Sequence, residues 1–308
     1  FYMNFIFGTI GYLFGYLLWF FYCLVKNYGV AIILFTIVLK IIMFPFSIKQ
    51  QKSMAKNASL ATKRNELQKK YGNDNAKLQE ETAKLYEKEG ISPMGGCLTT
   101  IIPLVLMLGV YYAVVNPLQD TLHIGVEKIN QALATLQQIP AIGQSFTSQY
   151  GEIIIVKHFN LFRDYLSMFD PSEIANIDFF SQGFSFLGLN LLDTPSNSPF
   201  SSMLWLIPLL CFLSSLLTQI FTQKIMGTQS PQQGCMKYML YVLPLISTYF
   251  AYIVPAAVGF YWVVSTLLSF VQTLVLNHFY SAGIMTAKSE AARVILRENE
   301  EKNLKPIY

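Results

Sequence analysis

Charge is scarce in this chain. Asp, Glu, Lys and Arg make up 13% of its 308 residues, roughly half the ~25% share of an ordinary soluble domain, which argues against a large soluble protein. Cysteine and histidine are scarcer still. Cys23, Cys97, Cys211 and Cys235 lie far apart with no CxxC pair, and His123, His158 and His278 share no metal-ligand spacing with them or with one another. This argues against a zinc site and a disulfide framework, and leaves the cysteines as small apolar packing residues. No Walker-type loop, GxGxxG, HExxH or HxE with a following CxxC occurs, so nucleotide use, zinc proteolysis and zinc deamination have no residue basis. The net charge of +4, from 22 basic and 18 acidic residues, is too small a surplus to argue for specific nucleic-acid binding. No catalytic residue, metal or cofactor is expected, and the chain reads as a non-enzyme. It opens at Phe1 rather than Met, which leads us to expect a preceding segment such as a cleaved signal.

What the chain has in abundance is apolar and aromatic residues, 53% and 15% of the total, with 24 Phe and 18 Tyr. They cluster in five runs, 28–48, 94–115, 200–225, 237–254 and 255–279, each near the 20 or so residues that a membrane-crossing helix needs. The fourth and fifth are parted only by Pro255 and its neighbours, which marks a tight turn. A sixth run, 5–25, is interrupted by Gly8, Gly11 and Gly15 and crowded with Phe, Tyr and Trp19. Residues 1–27 are accordingly read as an N-terminal aromatic interfacial helix on the external side, with a full crossing left open. Gly11 and Gly15 also match the low-specificity GxxxG pattern of helix pairing.

Between the first two spans, 49–93 turns to Lys, Glu, Gln and Ala, with Gly72, Asn73 and Asp74 as helix stop and start signals and Gly90 with Pro93 ending the second arm. This predicts a basic helical hairpin. The 116–199 segment is mixed, with a helix expected near 125–138 and breaks at Pro140, Pro171, Pro195 and Pro199. Segment 49–93 holds ten Lys or Arg and the tail 280–308 five, whereas 116–199 holds three against eight Asp or Glu. By the positive-inside rule the hairpin, the short 226–236 loop and the tail are cytoplasmic, and 116–199 is an extracytoplasmic insert. The N-terminus is then outside and the C-terminus inside.

Lys40 is the residue that most needs explaining. It lies nine positions before Lys49, about 13 Å below the cytoplasmic end at 1.5 Å per residue, deeper than a lysine of about 6 Å recovers by snorkelling. A central Lys costs about 2.5–3.5 kcal/mol on insertion scales, and none of the five runs contains Asp or Glu. A water-filled cavity is therefore expected. Thr36 lies one helical turn from Lys40, and Ser215 one turn from Gln219, so each pair shares a helix face from which to line that cavity.

Four stretches together resemble the YidC family of membrane protein insertases. They are Tyr28-Gly29 through Thr36 and Lys40 to Met43-Phe44-Pro45 and Lys49-Gln50-Gln51-Lys52; Gly90-Ile91-Ser92-Pro93-Met94-Gly95-Gly96-Cys97; Val110-Tyr111-Tyr112-Ala113; and Val254-Pro255-Ala256 through Gly259-Phe260-Tyr261-Trp262 to Gln272. The resemblance implies an all-α polytopic membrane protein: a five-helix core bundle enclosing a hydrophilic groove open to lipid and cytoplasm, plus the cytoplasmic hairpin and the N-terminal interfacial helix. Groove residues would be Lys40, Thr36, Gln219, Trp262, Tyr261 and Ser215. Lys40 stands where the family usually has Arg, which keeps the charge but loses the planar fork of donors. Cytoplasmic contacts would fall on Lys52, Lys56, Lys63, Arg64, Lys69 and Lys70. The implied partners are nascent membrane-protein substrates, the lipid bilayer, and the ribosome and Sec translocon; the implied place is the bacterial cell membrane. The chain departs from the family pattern at Thr99 and Pro103, in a third span about one turn longer between Pro208 and Gln223, and in the length of 116–199. The rival reading is a small-solute (anion) transporter or channel with Lys40 as its anion site, although no internal repeat supports it.

Overall fold

An apolar run in a bilayer satisfies its backbone polar groups only by coiling into helix or closing a barrel, and here the runs coil. The computed structural model describes residues 2–72, 74–88, 95–139, 150–225 and 235–303. Gly90 through Met94, Pro140, most of the 226–236 loop and Lys305 lie outside the described residues. Helices α1 (Tyr2–Val25), α2 (Tyr28–Ile42), α6 (Gly95–Val115), α11 (Leu206–Ile225), α12 (Cys235–Ile253) and α13 (Ala256–Phe279) carry the apolar runs. Gly8–Val25, Met203–Thr222 and Ala256–Phe279 are each long and apolar enough to cross a membrane alone, and α2 joins them when taken with the start of α3 (Phe44–Ser59). The break between α2 and α3 at Met43 follows from Pro45, which has no N–H to bond to the Ile41 carbonyl and clashes with it sterically.

The chain divides into two compact units. The first holds residues 1–41, 101–216 and 240–268. In it α1 runs antiparallel beside α2, with the Tyr22 and Tyr28 rings 6.4 Å apart and those of Phe14 and Phe35 5.3 Å apart. The insert folds into a cap made of a π-helical turn at Pro117–Thr121, α7 (Val126–Gln137), α8 (Gly151–Lys157), α9 (Phe159–Phe162), α10 (Pro171–Ser181) and a hairpin of β1 (Ser185–Phe186) with β2 (Leu189–Asn190). Leu118, Leu136, Ile155, Phe159, Ile177 and Phe180 are buried in it, in one cluster with Leu18, Tyr22 and Tyr28 of α1 and α2. The cap also terminates helices. Gly183 O accepts from Tyr28 N at 2.9 Å, while Asp193 O and Leu191 O accept from Ala256 N and Ala257 N, both at 2.8 Å, so orphan donors at the starts of α2 and α13 are satisfied.

The Gly11 and Gly15 pair serves this packing. A Cβ on Gly15 would stand 1.8 Å from the Asp120 carbonyl oxygen, and one on Gly11 would stand 2.8 Å from Tyr112 Cβ and 3.2 Å from Asp120 Oδ2. The small-residue pattern thus admits the π-helical turn of the same chain rather than leaving a free pairing face.

The second unit holds 42–100, 217–239 and 269–308. Here α4 (Ala61–Tyr71) and α5 (Asn75–Lys88) pack as a helical hairpin, and α3 packs on α14 (Ala282–Asn303). Asp74 starts α5, its Oδ1 accepting from Lys77 N at 3.1 Å.

Candidate functional site

Lys40 occupies the last turn of α2 and is half-buried. Two features of its position are favourable to a cation: the negative end of the helix dipole, and an Ile41 carbonyl deprived of its helical donor by Pro45. The faces of α2 are sharply divided. Tyr28, Ala31, Ile32, Phe35 and Thr36 are buried without measurable exposure, whereas Ile37 and Ile41 are 37% and 66% exposed. Lys40, one turn from Thr36, sits at the boundary between these faces.

The other expected groove residues separate into two packed sets. Tyr261 is buried on α13 with its ring 6.3 Å from Phe35 of α2, and Ser265 bonds to its hydroxyl. Its neighbour Trp262 points elsewhere, as a 100° turn per residue requires, and packs half-buried on Cys211, Ala251 and Val263. Ser215, half-buried on α11, is hydrogen-bonded to Cys211, whose thiol also donates to Ser247 O at 3.8 Å. Gln219 is half-buried and belongs to the second unit, while Lys40, Thr36, Ser215, Tyr261 and Trp262 belong to the first.

Six span hydroxyls are satisfied locally. Thr36 Oγ1 donates to Ile32 O at 2.6 Å, and Ser214, Thr222, Ser247, Thr248 and Thr273 donate to carbonyls three or four residues back. Such back-bonding lets a polar side chain enter a span at low cost. Among the described residues no group of three His, Cys, Asp or Glu is placed to hold a metal ion.

On the hairpin, Lys63, Lys69 and Lys70 are exposed. Lys63, Glu66, Leu67, Lys70, Glu81, Lys84 and Leu85 line a cleft of about 420 Å³ between α4 and α5. Glu80 and Glu81 hold the exposed Lys84 protonated well above the usual lysine range. Lys52, also exposed, places its Nζ 4.8 Å from the Tyr280 ring centroid, a cation–π contact. The side chains of Lys56 and Arg64 lie outside the described ones.

Composition and spacing do not reveal a buried acid pair in the cap. Asp120 is fully buried and Glu152 is 8% exposed. Glu152 accepts from Leu118 N and Gln119 N at 2.8 and 3.1 Å, and Asp120 faces the Asn116 and Gln119 amides at 3.5 and 3.4 Å. Burial pushes both carboxyls up to about 7. The one signal in the sequence was the glycine spacing of α1, which leaves room for something to approach.

Fold and site together define a polytopic α-helical membrane protein with a cation set into one spanning helix and a folded cap over two others. The family model of the 60Kd inner membrane protein matches residues 20–283, and the chain belongs to that family, the YidC family of the sequence resemblance. It is similar to a membrane protein insertase YidC of Caldanaerobacter subterraneus subsp. tengcongensis, 46% identical over 100 residues, 32% of this chain and 48% of that one. It is also similar to those of Chlorobaculum parvum, 39% over 99 residues, and Syntrophus aciditrophicus, 43% over 100. Those two matches cover 32% of this chain but 17% and 18% of the relatives, so the matched stretch is about half of one relative and under a fifth of the others.

Proposed function

We propose that this protein is a membrane protein insertase and chaperone that moves small or single-span proteins into the bilayer without nucleotide hydrolysis or covalent chemistry. The observation that carries the reading is Lys40, a half-buried cation at the edge of the lipid-facing side of α2, in a chain of the YidC family. A hydrated groove on this edge, with Thr36, Tyr261, Ser215 and Trp262 on its helices, lowers the cost of drawing a substrate's short acidic segment into the membrane. Burial of the substrate's apolar helix supplies the drive, at about 0.8 kcal/mol per CH₂. The membrane potential adds about 2.3 kcal/mol per charge per 100 mV for an acidic segment moving outward.

The basic hairpin is the first contact for the nascent chain, through Lys52, Lys56, Lys63, Arg64, Lys69 and Lys70, and lies near anionic headgroups. The α14 tail, with Lys288, Arg297 and Lys302, is the side offered to a ribosome or Sec translocon. Hairpin and tail face the cytoplasm of a bacterial cell, and the cap lies outside. The apolar length of Gly8–Val25 favours a crossing over an interfacial helix, and with it a cytoplasmic N-terminus in place of the expected outside one. Reconstitution into liposomes tests the function. Insertion of a single-span substrate without nucleotide is expected; anion flux in the absence of any inserted protein would instead establish the transporter.

A further inference from the structure

We propose that the tip of the β1–β2 hairpin, Leu187, seats in the headgroup–acyl boundary of the bilayer and pins the cap to the membrane surface. Ser185 pairs with Asn190 and Phe186 with Leu189, which leaves a two-residue turn at Leu187-Gly188. Both turn residues have positive φ, 51° and 80°, the primed-turn geometry that favours Asn-Gly. A leucine there is held in a left-handed conformation that L side chains disfavour. It gains nothing from the cap in return, being 81% exposed.

The hairpin points down into the level of the spanning helices. Its contacts with α13 step inward toward the tip: Asp193 O on Ala256 N, then Leu191 O on Ala257 N, then the Phe186 ring 5.1 Å from that of Phe260. Phe260 lies four residues into α13, about 6 Å along the axis. Phe186 also fills the space over Gly29 in the first turn of α2, where a Cβ would meet its ring at 2.4 Å. A Cβ on neighbouring Gly259 would stand 2.7 Å from Ile207 of α11, which puts the start of that span at the same depth. There the exposed side chains are apolar, Met203 at 68% and Leu206 at 45%. An exposed leucine level with lipid-facing side chains has lipid as its natural cover, at the depth of about 5–10 Å typical of interfacial apolar groups. The inference rests on the chain being embedded in a membrane and not on its insertase activity.

The full chain, with its four cysteines replaced by alanine and a spin label on Leu187→Cys, is reconstituted into phosphatidylethanolamine–phosphatidylglycerol vesicles. Collision with oxygen and with a water-soluble nickel chelate is then measured against a label on Asn197→Cys, an exposed turn of the same cap. At Leu187→Cys oxygen is expected to collide several-fold more often than the chelate, and at Asn197→Cys the reverse. Equal, water-like profiles at both sites overturn the proposal, as does shielding from both reagents at 187, which marks a protein partner or a second copy. Leu187→Trp, read by quenching from lipids brominated near the headgroup, gives the second reading: quenching above that of the parent protein is expected, and its absence counts against lipid contact.

Discussion

At Gly15 the absence of one carbon atom decides how the cap meets α1. With the Asp120 carbonyl 1.8 Å from where a Cβ would stand, Gly15→Ala forces either the helix or the turn to move, and overpacking of this kind costs about 1–3 kcal/mol. Gly8→Ala is the matched control, since nothing lies within 4 Å of its Cβ site. Thermal unfolding in detergent is expected to show a clear loss for Gly15→Ala and none for Gly8→Ala; equal shifts would mean the close approach is not maintained. The acid pair beside it gives a pH dependence. Asp120 faces Tyr12 on α1 and Glu152 on α8, and both carboxyls are raised to about 7 by burial. A carboxyl with a raised folded pKa lets stability fall as pH climbs from the ordinary value near 4 to about 7, with no further loss above. Unfolding temperature should therefore drop between pH 5 and pH 7 and then level, and Asp120→Asn should flatten the slope. A stability that rises over that interval would contradict the burial of these acids.

Asn27 acts at the scale of elements, joining two of them. Its Oδ1 accepts from Val30 N at 3.1 Å at the start of α2, and its Nδ2 donates to Ser185 O at 2.9 Å in β1. Asn27→Ala is expected to cost about 1–2 kcal/mol and to raise proteolysis of the cap, measurable by limited digestion; an unchanged digestion rate would mean that the cap docks without this link. The same scale shows what could be read from residues alone. The helical membrane class was legible because runs such as 255–279 are apolar over a full crossing and carry no acid, and the family because four short stretches keep their order from Tyr28 to Gln272. The cap was not legible, since its core joins Tyr22 of α1 to Phe179 and Phe180 far along the chain, the Tyr22 hydroxyl donating to their carbonyls at 2.6 and 3.2 Å. No periodicity announces such contacts. Similarly, Thr36 could be placed on the face of Lys40 by spacing, but its bond to Ile32 O could not be read from the residues alone.

For the whole molecule, the proposed insertase function poses one physical problem: to carry polar groups partway across an apolar barrier and release an apolar helix sideways into lipid. A cation at the edge of a lipid-facing surface, fixed at a helix end by Pro45, is suited to that task, and the YidC relatives carry the activity in their name. The most direct measurement is insertion of a single-span substrate with an acidic external tail into liposomes containing wild type, Lys40→Arg or Lys40→Ala. Activity retained by Lys40→Arg and lost by at least tenfold, about 1.4 kcal/mol in the rate-limiting step, in a folded Lys40→Ala is the expected result. Equal insertion by all three would contradict a working role for the charge at position 40.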